Sequence, residues 1–266
     1  GNISQLREAL WHAGIDRHER AVIMAAYAIA GRLKLAPKSG NTTWIAQLAD
    51  RLPRSAPAAA LYHAKEWLGE DLGLTDMPKR LVDNFWYAHA ATSDNVDTQR
   101  QYVAVIMEEL IASDVAIVPF EAARYLAMIV APAGDSPCTC LFAATASVAW
   151  HLADNRIISF WPGEHRLAIT LSLLAYAFQK NLHVFYRNPI DGSSMPIVDE
   201  FTQIDRDTPV PPTEHIIAFP PFGLRTETKN GRSLPIETLQ LERFPPLASK
   251  SYCCVVSDGL LFRETR

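Results

Sequence analysis

The stretch CTCLFAATASVAWHLADNRIISFW, residues 138–161, decides how the second half of this chain folds. Cys138–Ala143 is a short apolar run of strand length. Thr145–Ala153 follows with apolar residues at helical spacing, and Arg156–Trp161 is apolar and short again. The alternation continues outward from there. Glu164–Gln179 reads as a helix, while Leu182–Tyr186, His215–Phe219 and Tyr252–Val256 read as strands. Strands that alternate with helical runs predict βαβ units and a mostly parallel sheet. In such sheets ligands sit outside the carboxyl ends of the strands, so the loops there are where chemistry is expected.

Upstream the texture is helical. Ile3–Ala13 carries Ile3, Leu6, Leu10 and Trp11 at helical spacing, and Glu19–Leu33 is rich in Ala, Ile and Met. Thr42 and Thr43 can cap a helix that contains Trp44, Ile45 and Leu48. Ala58–Leu68, Lys79–Ala91 and Thr98–Ala112 extend the pattern, the last with Val103, Ile106, Met107 and Leu110 as an inward stripe. The expected division is a helical N-terminal domain over 1–115 and a Rossmann-like α/β core over 116–266. With 266 residues and 48% hydrophobic composition, a sizeable core is affordable and wholesale disorder is excluded. A formal charge of −4 excludes a uniformly basic nucleic-acid coat, though not a local patch. Arg32, Lys34, Lys38, Arg51 and Arg54 gather near the early helix ends, where a solvated surface is the simpler reading than phosphate contact.

Cys138, Cys140, Cys253 and Cys254 form a C-x-C and a C-C, neither with the spacing of common zinc sites. His12 and His18 match no zinc motif either, and no metal is expected. Four buried, reduced thiols and no signal-peptide pattern point to the cytoplasm. The longest apolar stretches fall short of the roughly 20 residues a membrane span requires. Neither a nucleophile elbow nor a Walker loop occurs.

The most informative loop follows the His215–Phe219 strand and reads Phe219-Pro220-Pro221-Phe222-Gly223. Two prolines fix φ and remove two donors, which makes a stiff, pre-set loop. An aromatic presented at the end of a sheet can stack on a planar ligand, or simply pack there. This loop resembles that of DNA N6-adenine methyltransferases, in which Asn or Asp precedes Pro-Pro and then Phe or Tyr. Tyr252–Arg263, with Asp258-Gly259-Leu260-Leu261-Phe262, looks like the strand and turn that follow the loop in the modification subunits of type I restriction systems. Val118–Arg124 resembles that family's helix start, and the helical-then-Rossmann order is also its layout.

The resemblance implies an adenine-specific DNA methyltransferase with S-adenosylmethionine as cofactor, and DNA, other restriction-modification subunits or an active methyltransferase as partners. It also implies strands beyond Phe262, so an incomplete sheet is expected. Family members carry an acidic residue and a Gly-rich loop after the first core strand; here Cys140, Ala144, Thr145 and Ala146 stand at those positions, with Ser147 after them. Phe160, or Trp161 after it, stands where an acid would hold the ribose, and Glu164 lies past a Pro-Gly break. Phe219 replaces the polar residue that receives the adenine amino group, leaving Pro220, Pro221 and Phe222 as the rest of the motif. A Cβ at a φ > 0 position costs about 1 kcal/mol or more, and loss of an aimed polar contact costs several kcal/mol of barrier. The expected outcome is therefore a methyltransferase fold that binds no cofactor and serves as a DNA- or partner-binding scaffold. A divergent active enzyme, and a protein-interaction module built on the helical half, stand as alternatives.

Overall fold

A computed structural model describes residues 3–35, 44–52, 60–61, 64, 95–190, 214–227, 230–243 and 250–255. These form two compact units. Ala58–Leu68 for the most part, Lys79–Ala91 and the Asp258–Phe262 motif lie outside the described residues, as do Thr42, Thr43, Lys38 and Arg54.

The first unit is helical: α1 (Ile3–His12), α2 (Arg17–Leu33), α3 (Trp44–Arg51) and α4 (Val96–Ile111). Helix α2 is apolar on every side from Ala21 to Ala30, and all ten of those residues are fully buried. A helix without a polar face has to be surrounded by others. It packs against α1, α4 and a further helix, His165–Ala177, which comes from the second half of the sequence. Lys34 ends α2 in the left-handed conformation, with its N–H on the Ala30 and Gly31 carbonyls. Asn95 starts α4 by accepting the Thr98 N–H at 3.0 Å. Two polar links then cross the apolar core. The Tyr102 hydroxyl donates to the Met24 carbonyl at 2.6 Å. The Arg20 guanidinium meets the Glu109 carboxylate at 2.8 Å, with both side chains nearly buried.

The second unit is the α/β core. Helix α5 (Phe120–Val130) leads to β1 (Cys138–Leu141), a 3-10 turn (Ala143–Thr145) and α6 (Ala146–Leu152). Strand β2 (Ile158–Trp161) follows; the chain then makes α7, the His165–Ala177 helix of the first unit, and returns with β3 (Leu182–Val184). Strand β4 (His215–Ala218) precedes the antiparallel pair β5 (Arg225–Glu227) and β6 (Ser233–Pro235), helix α8 (Ile236–Arg243) and β7 (Ser251–Cys254). The sheet order is β3-β2-β1-β4-β7, and every neighbouring pair is parallel. All residues of β1 and β4 are buried, the signature of central parallel strands.

The α/β fold expected from the sequence is the fold observed. From β1 the chain builds outward to β2 and β3, then crosses back to lay β4 on the other side of β1. The direction of crossover reverses between β1 and β4, so the crevice at their carboxyl ends is the topological switch point. No helix among the described residues is long and apolar enough to cross a membrane.

The helix read over Thr145–Ala153 is present as α6, which starts at Ala146 directly after the tight Ala143–Thr145 turn. One local expectation needs correction: not all four thiols are buried. Cys138 and Cys140 are, but Cys253 and Cys254 are half-buried because β7 is the edge strand among the described residues; all four are free thiols.

Candidate functional site

Register brings the two sequence motifs together. Leu141 of β1 pairs with Trp161 of β2 on one side and Ala218 of β4 on the other. Phe142 and Phe219 are therefore the next residues out on adjacent strands. Phe142 N–H donates to the Trp161 carbonyl at 2.9 Å, and Phe219 N–H approaches the Leu141 carbonyl at 3.5 Å. In this way the 143–147 segment and the Pro220–Gly223 loop both leave from the switch point.

What they frame is apolar. Leu141, Phe142, Ile216, Ala218 and Ile236 form one buried cluster, with Trp161, Ile190, Tyr252 and Cys254 packed against it. Phe142 is 6% exposed although its backbone sits at φ 73°, ψ 152°. That region belongs almost entirely to glycine and costs a side-chain-bearing residue about 1–3 kcal/mol. Local bonds hold it there. The Thr145 hydroxyl reaches the Leu141 carbonyl at 3.2 Å and the Phe142 carbonyl at 2.9 Å, and Thr145 N–H donates to the Phe142 carbonyl at 3.0 Å.

The site residues inferred from sequence separate into two groups. Cys140 and Phe160 are register partners inside β1 and β2, both fully buried. Burial pushes the Cys140 thiol well above its ordinary range. Neither side chain reaches the crevice mouth, and the position past the end of β1 belongs to Phe142, which the sequence reading passed over. Ala144 and Ala146 lie in the turn and at the start of α6, and the Thr145 hydroxyl is engaged with backbone. Phe219 is 5% exposed and Pro220 is buried. Phe222 is 56% exposed, so of the loop residues it is the aromatic offered to solvent.

Two residues at this site, Glu237 and Gln240, had no signal in the sequence. Glu237, in the first turn of α8, is 2% exposed and accepts the Gly223 N–H at 3.2 Å. Gly223 sits at φ 76°, which a residue without Cβ adopts freely. The Ile236 N–H donates to the Leu224 carbonyl at 2.9 Å, so the loop is fastened to the start of α8 at two points. Gln240, one turn on, is fully buried and donates to the Pro189 carbonyl at 3.0 Å. Pro189 in turn lies so close to Gly163 that a Cβ there would come within 2.7 Å of its ring. Glu237 Oε2, Gln240 Oε1 and Trp161 Nε1 are buried atoms without hydrogen-bond partners among the described residues. The Arg187 guanidinium lies 5.6 Å from the Trp161 ring centroid and 5.4 Å from that of Phe185, a cation–π arrangement. On β7, burial pushes the Tyr252 hydroxyl and the Cys254 thiol above their ordinary pKa values, and the nearby Glu237 charge adds to the Cys254 shift.

These residues do not fit S-adenosylmethionine as a dinucleotide-type fold usually holds an adenosine ligand. Glycines that let backbone approach the ligand are absent from 142–147. β2 ends in Trp161 rather than an acid, and Glu237 has one carboxylate oxygen on the Gly223 amide. No group of three or more His, Cys, Asp or Glu side chains among the described residues could hold a metal ion.

No protein-family model matches the chain, and no curated protein matches it in sequence. Two solved structures are similar to it. One is a protein assigned as a class I S-adenosylmethionine-dependent methyltransferase from Listeria monocytogenes, with 12% identity and a TM-score of 0.48, over 92% of this chain and 76% of that one. The other is the methyltransferase subunit of a type I restriction-modification system from Streptococcus thermophilus, with 13% identity and a TM-score of 0.47, over 98% of this chain and 76% of that one. The fold assignment rests on the strand order and register given above.

Proposed function

We propose that this chain is a methyltransferase-type protein of the DNA N6-adenine kind that does not transfer methyl groups, and that it acts as a DNA- or partner-binding scaffold beside an active methyltransferase. The observation that carries this reading is the apolar cluster at the carboxyl ends of β1 and β4, where Phe142 and Ile236 are buried and Trp161 and Ile190 pack against them. A second support is Phe219, an apolar, buried side chain at the motif position whose polar residue would receive an adenine amino group. The free thiols fit a reducing, cytoplasmic setting.

A second reading, a divergent active enzyme, draws on one feature. Phe222 stands exposed on a loop stiffened by Pro220 and Pro221 and fastened through Gly223, as a base-stacking aromatic would. Calorimetric titration with S-adenosylmethionine separates the two. The scaffold reading expects no saturable heat, and binding in the micromolar range sinks its closed-crevice form. A labelled-methyl transfer assay on unmethylated DNA then decides activity. Salt-dependent retention of unmethylated DNA by the whole chain supports the DNA arm of the scaffold reading.

A further inference from the structure

The amino-terminal end of the sheet carries a second set of reactive side chains, away from the crevice. Cys138 of β1, His215 of β4 and Ser251 of β7 are register partners in a row. Partners in register project to one face of a sheet. The next residues along, Ile216 and Tyr252, belong to the apolar cluster on the other face. His215 is buried, at 7% exposure, whereas Ser251 is open to solvent. The His215 Nδ1 stands 2.6 Å from the Ser251 Oγ, within the reach that a base needs on its nucleophile.

The surroundings suit that pairing. The Lys250 and Ser251 N–H groups donate to the Glu214 carbonyl at 2.9 and 3.2 Å, which fixes the backbone of the serine. The Lys250 ammonium is neutralised by the Glu214 carboxylate at 2.6 Å, which also receives the Ser136 hydroxyl. At the far end of the row the Arg156 guanidinium approaches the Cys138 Sγ at 3.9 Å. Burial holds the His215 pKa below its ordinary value; the Glu214 charge opposes that shift, and Lys250 and Arg156 add to it. The ring is therefore neutral, and free to take a proton, at about pH 7. We propose that Ser251 is a nucleophile with His215 as its general base, and that the pair hydrolyses small activated esters.

In the first step the Ser251 Oγ bonds to the ester carbonyl carbon as its proton passes to the His215 Nδ1. The bond to the leaving oxygen then breaks; that oxygen departs with the electron pair and takes the proton from Nδ1. In the second step water adds to the acyl-serine while Nδ1 receives a proton from it. The bond from carbon to Oγ breaks, Oγ recovers a proton, and the carboxylic acid is released. The sum consumes one ester and one water and yields one acid and one alcohol. A base positioned on its nucleophile is worth about a hundred- to ten-thousand-fold in rate, which suits esters with a good leaving group rather than amides. The pair lies at the opposite end of the sheet from the crevice, so the proposal is independent of whether S-adenosylmethionine binds there.

Release of p-nitrophenolate from p-nitrophenyl acetate by the whole chain tests it, together with peptide mapping after treatment with an alkyl fluorophosphonate. The phosphonyl group should be found on Ser251. Ester cleavage should fall by about a hundredfold in Ser251→Ala and in His215→Gln. Ser251 is exposed, so Ser251→Ala should keep the far-ultraviolet dichroism of the parent. The rate for the parent should rise through the folded pKa of His215 and be level above about pH 6.5. Acylation of surface lysines would instead keep rising toward about pH 10. That profile is read on the parent chain, so the assignment of the base does not depend on the folding of His215→Gln. A fluorophosphonate label that avoids Ser251, cleavage that survives Ser251→Ala, or a rate still climbing at alkaline pH overturns the proposal.

Discussion

Phe142 and Phe219 leave adjacent parallel strands side by side, because Leu141 and Ala218 are register partners. Both side chains are at least 94% buried, yet only Phe142 has the backbone of a glycine. The residues just past the ends of β1 and β4 are thus two buried aromatics, one of them held against its own conformational preference.

That strain sets an unusual order among substitutions at Phe142. Phe142→Ala removes the ring and keeps the Cβ in the glycine region, so it should cost about 3–5 kcal/mol, the usual range for a buried Phe. Phe142→Gly loses the same ring but recovers about 1–3 kcal/mol of backbone strain. The smaller residue should therefore be the less harmful, by a margin urea unfolding resolves. A glycine variant less stable than the alanine variant would show that the backbone at 142 stores no strain.

Glu237 holds the Pro220–Gly223 loop through one carboxylate oxygen while the other is unpartnered. Glu237→Gln keeps an acceptor for the Gly223 amide and removes a buried charge, so stability should change by under about 1 kcal/mol or rise slightly. Glu237→Ala leaves the Gly223 N–H without its partner and should cost about 1–3 kcal/mol. Hydrogen exchange at the Gly223 amide is the local readout. It should accelerate in the alanine variant and remain near the parent rate in the glutamine variant.

The Arg20–Glu109 pair crosses the helical core with both side chains 7% exposed. Arg20 also donates to the Ile15 carbonyl at 2.9 Å, and Glu109 receives Arg7 at 3.7 Å as well. Glu109→Ala strands a buried guanidinium and should cost about 3–5 kcal/mol, whereas Arg20→Met with Glu109→Leu should be close to neutral. Thermal unfolding of the single and double variants gives the comparison. A double variant as damaged as the single would mean that the pair adds net stability here.

His215 is the clearest source of pH dependence near neutrality. Burial lowers its pKa below the ordinary 6.5, and its Nδ1 lies 2.6 Å from the Ser251 hydroxyl on the neighbouring strand. The neutral ring is therefore favoured in the folded state. Below about pH 6.5 the unfolded chain takes up the proton first, so stability should fall as pH drops through that value toward the folded one. The decline is read as a falling urea midpoint between neutral pH and about pH 5.5, and it should be shallower in His215→Gln. A midpoint that rises over that interval would contradict the assignment.

Much of the core was legible because its strands are short, apolar and separated by helical runs. Cys138–Leu141, Ile158–Trp161 and His215–Ala218 fall inside the runs read from the sequence. The candidate site was legible only in its loop. Pro220, Pro221 and Phe222 announce themselves by residue type, whereas Glu237 and Gln240 lie on an unremarkable eight-residue helix. Nothing in the local spacing of Glu237 says that its carboxylate faces inward onto a glycine amide fourteen positions earlier.

The amino-acid sequence by itself determined the alternation of strand and helix, and through it the parallel sheet, because periodicity and apolar run length are local properties of the chain. The choice of what stands at the switch point was not local. Register set Phe142 beside Phe219, and the turn at Ala143–Thr145 follows directly on the buried Phe142 ring. The grouping of α7 with the first helices followed from the all-apolar α2, which needed another helix to cover it. Long-range packing, by deciding which buried surfaces meet, settled these features.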